Sequence, residues 1–182
     1  MQDLKRKFQA KGDRQCFRKR CGDNENGRSR AHPNCVAGGR MELMDAIRNR
    51  RAVREFADVA LSRSTIQALI EAANLAPSAM NLQPWAFAVL SDRKRIDDCS
   101  ERIKGWLQEN WPKMGIGDAA QHLLDQPGFT VLYHAPALVV VLATSPTAQA
   151  NEDCCLAAEN LMLAARDREI GSCWIGFARP WL

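Results

Sequence analysis

The chain has no apolar run approaching the roughly 18 residues of a membrane-spanning helix, and its longest strongly hydrophobic stretch, 137–143, is strand-sized. Residues 1–10 contain no apolar h-region, so no secretory leader is expected. Seven cysteines, an odd number without a secretion signal, argue against a disulfide framework and for reduced thiols in a cytoplasmic protein. Histidine is scarce: of three, only His122 and His134 lie beyond residue 40, and neither sits in a catalytic or metal-ligating pattern. No internal repeat, βαβ rhythm or dinucleotide-type glycine motif is visible. With 46% hydrophobic and 25% charged residues, the chain is neither disordered overall nor fibrous.

Charge is unevenly placed. Residues 1–40 carry a net +7 and residues 41–182 a net −3, so the overall +4 belongs to the leader. The body therefore offers no electrostatic case for nucleic acid or a membrane surface. Composition shifts near Gly38-Gly39-Arg40, which predicts a basic, disordered leader over 1–40 and a folded domain over 41–182. Cys16, Cys21, His32 and Cys35 leave a second reading of the leader open, a small zinc knuckle with affinity for nucleic acid. Its first spacing lies at the edge of the usual range, and no apolar residues surround it.

Periodicity divides the body. Leu43, Ala46 and Ile47 predict an amphipathic helix over 42–51; Ile66, Leu69, Ile70 and Ala73 predict another over 64–76, capped by Ser62 or Ser64 and stopped by Pro77. Residues 85–90 read as a strand, with Trp85 and Phe87 facing inward. A charged helix follows, capped by Ser91 or Asp92 and running to Asn110, and then a mobile loop from Trp111. Residues 137–143 read as a strand buried on both faces. A long helix over 152–169, ended by Gly171, and a further strand over 172–177 complete the series. Interspersed helices and strands of this kind imply an α+β fold.

Three segments carry the chemistry: Arg50-Arg51-Ala52-Val53-Arg54-Glu55-Phe56, Pro77-Ser78-Ala79-Met80-Asn81-Leu82-Gln83-Pro84-Trp85, and Gly171-Ser172-Cys173-Trp174-Ile175-Gly176. In residues, order and spacing they resemble the nitroreductase family of flavin mononucleotide (FMN) enzymes over 42–182. The resemblance implies a mixed or antiparallel sheet flanked by helices, a homodimer, and FMN at the subunit interface. It also implies hydride transfer from NAD(P)H through flavin N5 to a small acceptor of nitroaromatic, quinone or enone type, in ping-pong order. The chemistry then lies on the cofactor, and no side chain is assigned as a catalytic acid or base.

The residues suit that cofactor. Arg50 and Arg54, four apart where a helix is expected to end, could turn both guanidiniums toward one phosphate, with Arg51 beside them. Taken alone, the same arginines also read as a solvated face answered by Glu55 and Asp58. The resemblance assigns Pro77, Ser78, Asn81 and Gln83 to a loop on the flavin bound by the partner subunit. It assigns Trp174, Ile175 and Gly176 to a strand end against the ring, where Gly176 would admit close main-chain approach. An ordinary core strand reads equally well for Cys173 and Trp174. Residues 111–130, with Trp111, Met114 and Phe129, are the expected acceptor lid.

The chain departs from the family twice. Ala52 stands where relatives usually carry a serine, which removes a hydroxyl donor from the phosphate site. Relatives also continue beyond the position of Leu182, so a C-terminal truncation is expected. A flavin-binding protein without turnover, or a binding module working through residues 1–40, is the alternative function.

Overall fold

The computed structural model describes residues 41–114, 122–176 and 178; the basic segment 1–40, its Cys16, Cys21, His32 and Cys35, and the central part of the expected lid lie outside these. The main elements of the described chain are α1 (Leu43–Asn49), α2 (Arg63–Ala73), β1 (Trp85–Leu90), α3 (Arg93–Met114), β2 (Leu138–Ala143) and α4 (Ala148–Asp167). None of the described helices is long and apolar enough to cross a membrane.

Local chemistry explains the helix ends. Ser62 caps α2 by accepting from the Thr65 amide at 3.1 Å, Asp92 accepts from Arg95 N at 2.9 Å, and Thr147 accepts from Ala150 N at 3.2 Å. Pro77 does not stop α2, which ends at Ala73 with Asn74 as its C-cap. Gly171 does not end α4 either. Glu169 takes the left-handed conformation (φ 58°), Ile170 N donates to Ala165 O at 2.8 Å and Glu169 N to Arg166 O at 3.0 Å, a Schellman closure without glycine.

β1 and β2 form an antiparallel ladder from Trp85↔Ala143 to Leu90↔Leu138. One face turns Trp85, Phe87 and Val141 toward Ala73, Ala76, Cys154, Ala157 and Leu161 of the α2–α4 layer. The other face brings Leu90 and Leu138 to a second core built on α3. There Ile96, Ile103, Leu107 and Trp111 recur at helical spacing and pack with Leu124, Val131 and Leu132. β2 is thus only half-buried, with β1 its one strand neighbour among the described residues and Leu142 exposed.

Two further expectations are corrected. The segment starting at Trp111 is not loop: α3 continues to Met114, and Trp111, 3% exposed, completes its apolar stripe. Burial of that indole outweighs the break expected from Pro112, which falls within the last turn. Residues 172–177 are not a strand among those described. Ser172 makes a single parallel bridge to Ala52, since segment 52–53 is its one main-chain neighbour among the described residues.

Candidate functional site

The first and third sequence segments meet through that bridge. Val53 N donates to Ser172 O at 2.9 Å, which joins the arginine segment to the first residues of 172–176. Close approach depends on Gly171: a β-carbon there would fall 2.8 Å from Val53 Cγ1 and 2.9 Å from Val53 Cβ.

Helical phase does not align Arg50 with Arg54. α1 ends at Asn49, and Arg50, its C-cap, is already extended (φ −63°, ψ 130°). Each arginine has its own setting. Arg50 Nε lies 3.6 Å from Glu159 Oε1 on α4. Arg51 folds back, its Nη1 donating to Arg48 O at 2.6 Å and Arg50 O at 2.8 Å. Arg54 lies over the Tyr133 ring, 5.8 Å from its centroid, and beside the Cys173 thiol, where it partly offsets the burial that pushes that thiol up. Asp58 does not answer these arginines; it pairs with Arg93 at 3.2 Å.

The second segment forms a strained, self-bonded loop. Met80, Asn81 and Gln83 all have left-handed backbones (φ 51°, 55° and 47°) around a 3-10 turn at Ala79–Asn81. Ser78 Oγ accepts from Gln83 N at 2.9 Å, and Gln83 Nε2 donates to Asn74 O at 3.3 Å. Ser78 and Gln83 therefore hold the loop together. Asn81 is exposed; its backbone N–H donates to Ser78 O at 3.0 Å, while its side chain enters no hydrogen bond among the described residues. Pro77 is exposed at the start of the loop.

Asp153 anchors this loop from α4. Only 6% exposed, its Oδ1 and Oδ2 lie 3.1 and 3.3 Å from Ala79 N, which donates to it. Asn74 grips the other end, its Oδ1 accepting from Trp85 Nε1 at 2.9 Å. Sequence reasoning missed Asp153, Asn74 and Tyr133. The one legible signal was a carboxylate on the apolar stripe of the last helix.

Within one chain the loop is held on α4 away from the 171–176 segment. It is tied to α4 at Asp153, whereas the turn that leads into 171–176 is tied at Ala165, roughly 18 Å further along the helix at 1.5 Å per residue. Trp174 is half exposed, Ile175 packs on the α3 core, and Gly176 is exposed. Around the loop, Leu75 (82%), Met80 (92%) and Leu82 (71%) leave large apolar side chains in solvent, as do Leu43 and Ile47 of α1.

The expected lid residues are otherwise engaged. Trp111 is core, and Phe129 packs edge-on against Tyr133 with ring centroids 6.0 Å apart. The Met114 side chain lies outside the described residues. His134 is not partnerless: its Nδ1 lies 3.0 Å from Asp97 Oδ1. Among the described residues no cluster of His, Cys, Asp and Glu could hold a metal ion.

A helical shell around an antiparallel pair, with an arginine segment bridged to the stretch after the last helix, defines a recognisable class. Residues 47–179 match the nitroreductase family model, and the chain belongs to the nitroreductase family. A protein of Archaeoglobus fulgidus with the provisional name NADH dehydrogenase/NAD(P)H nitroreductase is 34% identical over 140 residues, covering 74% of this chain and 67% of that protein. Iodotyrosine deiodinase of Thermotoga neapolitana is 30% identical over 137 residues, covering 71% of each chain. Among solved structures, a nitroreductase with bound FMN from Bacteroides fragilis superposes with a TM-score of 0.65 at 30% identity, covering 75% of this chain and 71% of that one.

Proposed function

We propose that the chain is an FMN-dependent oxidoreductase acting as a homodimer, with NAD(P)H as donor and a small nitroaromatic, quinone or enone as acceptor. The observation that carries this reading is the Ala52–Ser172 bridge, which joins the arginine segment to the start of the segment that runs on to Trp174, Ile175 and Gly176. The donor set fits FMN: guanidiniums for a dianionic phosphate, an exposed amide for ribityl or ring edges, and an accessible main chain at an exposed glycine. FMN, when bound, would supply the hydride chemistry, accepting from reduced nicotinamide and returning two electrons to the acceptor.

The protein's part is position and charge. Arg50 and Arg54 would bind the phosphate; Arg50 has only a loose, exposed ion pair to give up, worth about 0–1 kcal/mol. Arg51, already turned onto carbonyls, would stiffen the segment and place a third positive charge nearby. Pro77, Ser78 and Gln83 would shape the loop that presents Asn81 to the partner's cofactor. Trp174, Ile175 and Gly176 would line the ring. The separation of the loop from the 171–176 segment along α4, and the apolar side chains exposed around the loop, support a site completed by a second subunit.

Purified full-length chain mixed with FMN should take up the visible flavin band at one per protomer and oxidise NADH or NADPH with a quinone or nitroarene. A folded dimer that stays colourless would overturn the reading. Similarity to iodotyrosine deiodinase favours reductive dehalogenation as the second chemistry, and an iodophenol offered as acceptor distinguishes the two.

A further inference from the structure

We infer that Asp153 is a positioning residue: it presets the 77–83 loop for cofactor recognition, an inference that rests on the flavin reading of that loop. A carboxylate on the apolar stripe of a helix is disfavoured by desolvation unless it is hydrogen-bonded. Asp153 is nevertheless buried between Ala150, Cys154 and Ala157 of the same α4 face, and among the described residues its hydrogen-bond donor is the Ala79 amide. That amide opens the 3-10 turn whose next two residues, Met80 and Asn81, are left-handed. For side chains other than glycine such conformations persist only where the surroundings enforce them. The enforcement comes from both ends. Asp153 holds Ala79, and Asn74 holds Gln83 and Trp85. Between these anchors Met80, Asn81 and Leu82 all face solvent, and Asn81 is the one of the three with a polar side chain. Its orientation is therefore set before any ligand arrives, which lowers the ordering cost of binding.

The test uses the full chain and reads the loop independently of the cofactor. Amide hydrogen exchange is compared in wild type, Asp153→Ala and Asp153→Asn, alongside FMN affinity by flavin fluorescence. Asp153→Ala should speed exchange of the 79–83 amides about tenfold or more, with α2 and β1 unchanged, and weaken FMN binding by a similar factor. Asp153→Asn retains an acceptor oxygen and should keep both within about threefold. Should Asp153→Ala fail to fold, Asp153→Ser, polar but too short to reach Ala79, takes its place with the same expectation. Unchanged loop exchange, or acceleration spread evenly through α2 and β1, overturns the proposal. Loop-confined acceleration in a wild-type background that never binds FMN would sustain the role of Asp153 in shaping the loop and refute the flavin reading instead.

Discussion

Gly171 and Val53 meet at a distance no side chain would permit: a β-carbon on Gly171 would sit 2.8 Å from Val53 Cγ1 and 3.0 Å from Cγ2. The contact lies beside the Val53 N–H···O Ser172 hydrogen bond that joins the arginine segment to 172–176. Position 171 thus controls whether two of the three motif segments touch.

Gly171→Ala should destabilise the fold by about 1–3 kcal/mol through overpacking. Thermal unfolding measures this. Adding Val53→Ala removes two of the three clashing atoms and should restore part of the loss, while Val53→Ala alone should lower stability.

Arg54→Gln removes a guanidinium expected to make charge-assisted bonds to phosphate, each worth about 1.5–3 kcal/mol, so FMN affinity should fall about 10- to 100-fold. Arg51→Gln should reduce it far less, because that side chain is bound to the carbonyls of Arg48 and Arg50. Equal losses in the two variants would point to general charge attraction in place of a specific contact. Fluorescence titration at fixed ionic strength separates the cases.

Ala52→Ser adds the hydroxyl that the family resemblance implies at the bridge residue. One added neutral hydrogen bond, about 0.5–1.5 kcal/mol, should tighten FMN binding by roughly two- to tenfold. No change in Kd would indicate that position 52 does not face the phosphate.

Asp97 gives a pH dependence. The hydrogen bond to His134, joined by that from Arg93, holds its carboxyl below the usual carboxylate range against the opposing effect of burial. A depressed folded pKa contributes stability above the unfolded value of about 3.9, and that contribution is lost as pH falls through the folded value. The urea-midpoint gap between wild type and Asp97→Asn should narrow as pH falls below about 4.

Much of this architecture was legible before any coordinates. Residues 85–90 form the expected strand, and the caps at Ser62 and Asp92 lie where side-chain oxygens precede an apolar period. Proline and glycine point to helix stops at Pro77 and Gly171, yet Asn74 and Glu169 perform them, because C-caps depend on main-chain closure that many residues tolerate. Trp111 was assigned to a loop on local proline and glycine, and its burial against Leu107 and Leu124 outweighs them.

The sequence by itself determined the family, through three motifs in order, and the class of each helix and strand, through periods of 3.6 and 2 that reflect which side chains avoid water. Tertiary structure alone decided which motifs touch. Bridging Ala52 to Ser172, placing Tyr133 under Arg54 and anchoring Ala79 on Asp153 are contacts between residues distant in the chain. They arise from how α4 and the two strands pack, and no local pattern encodes them.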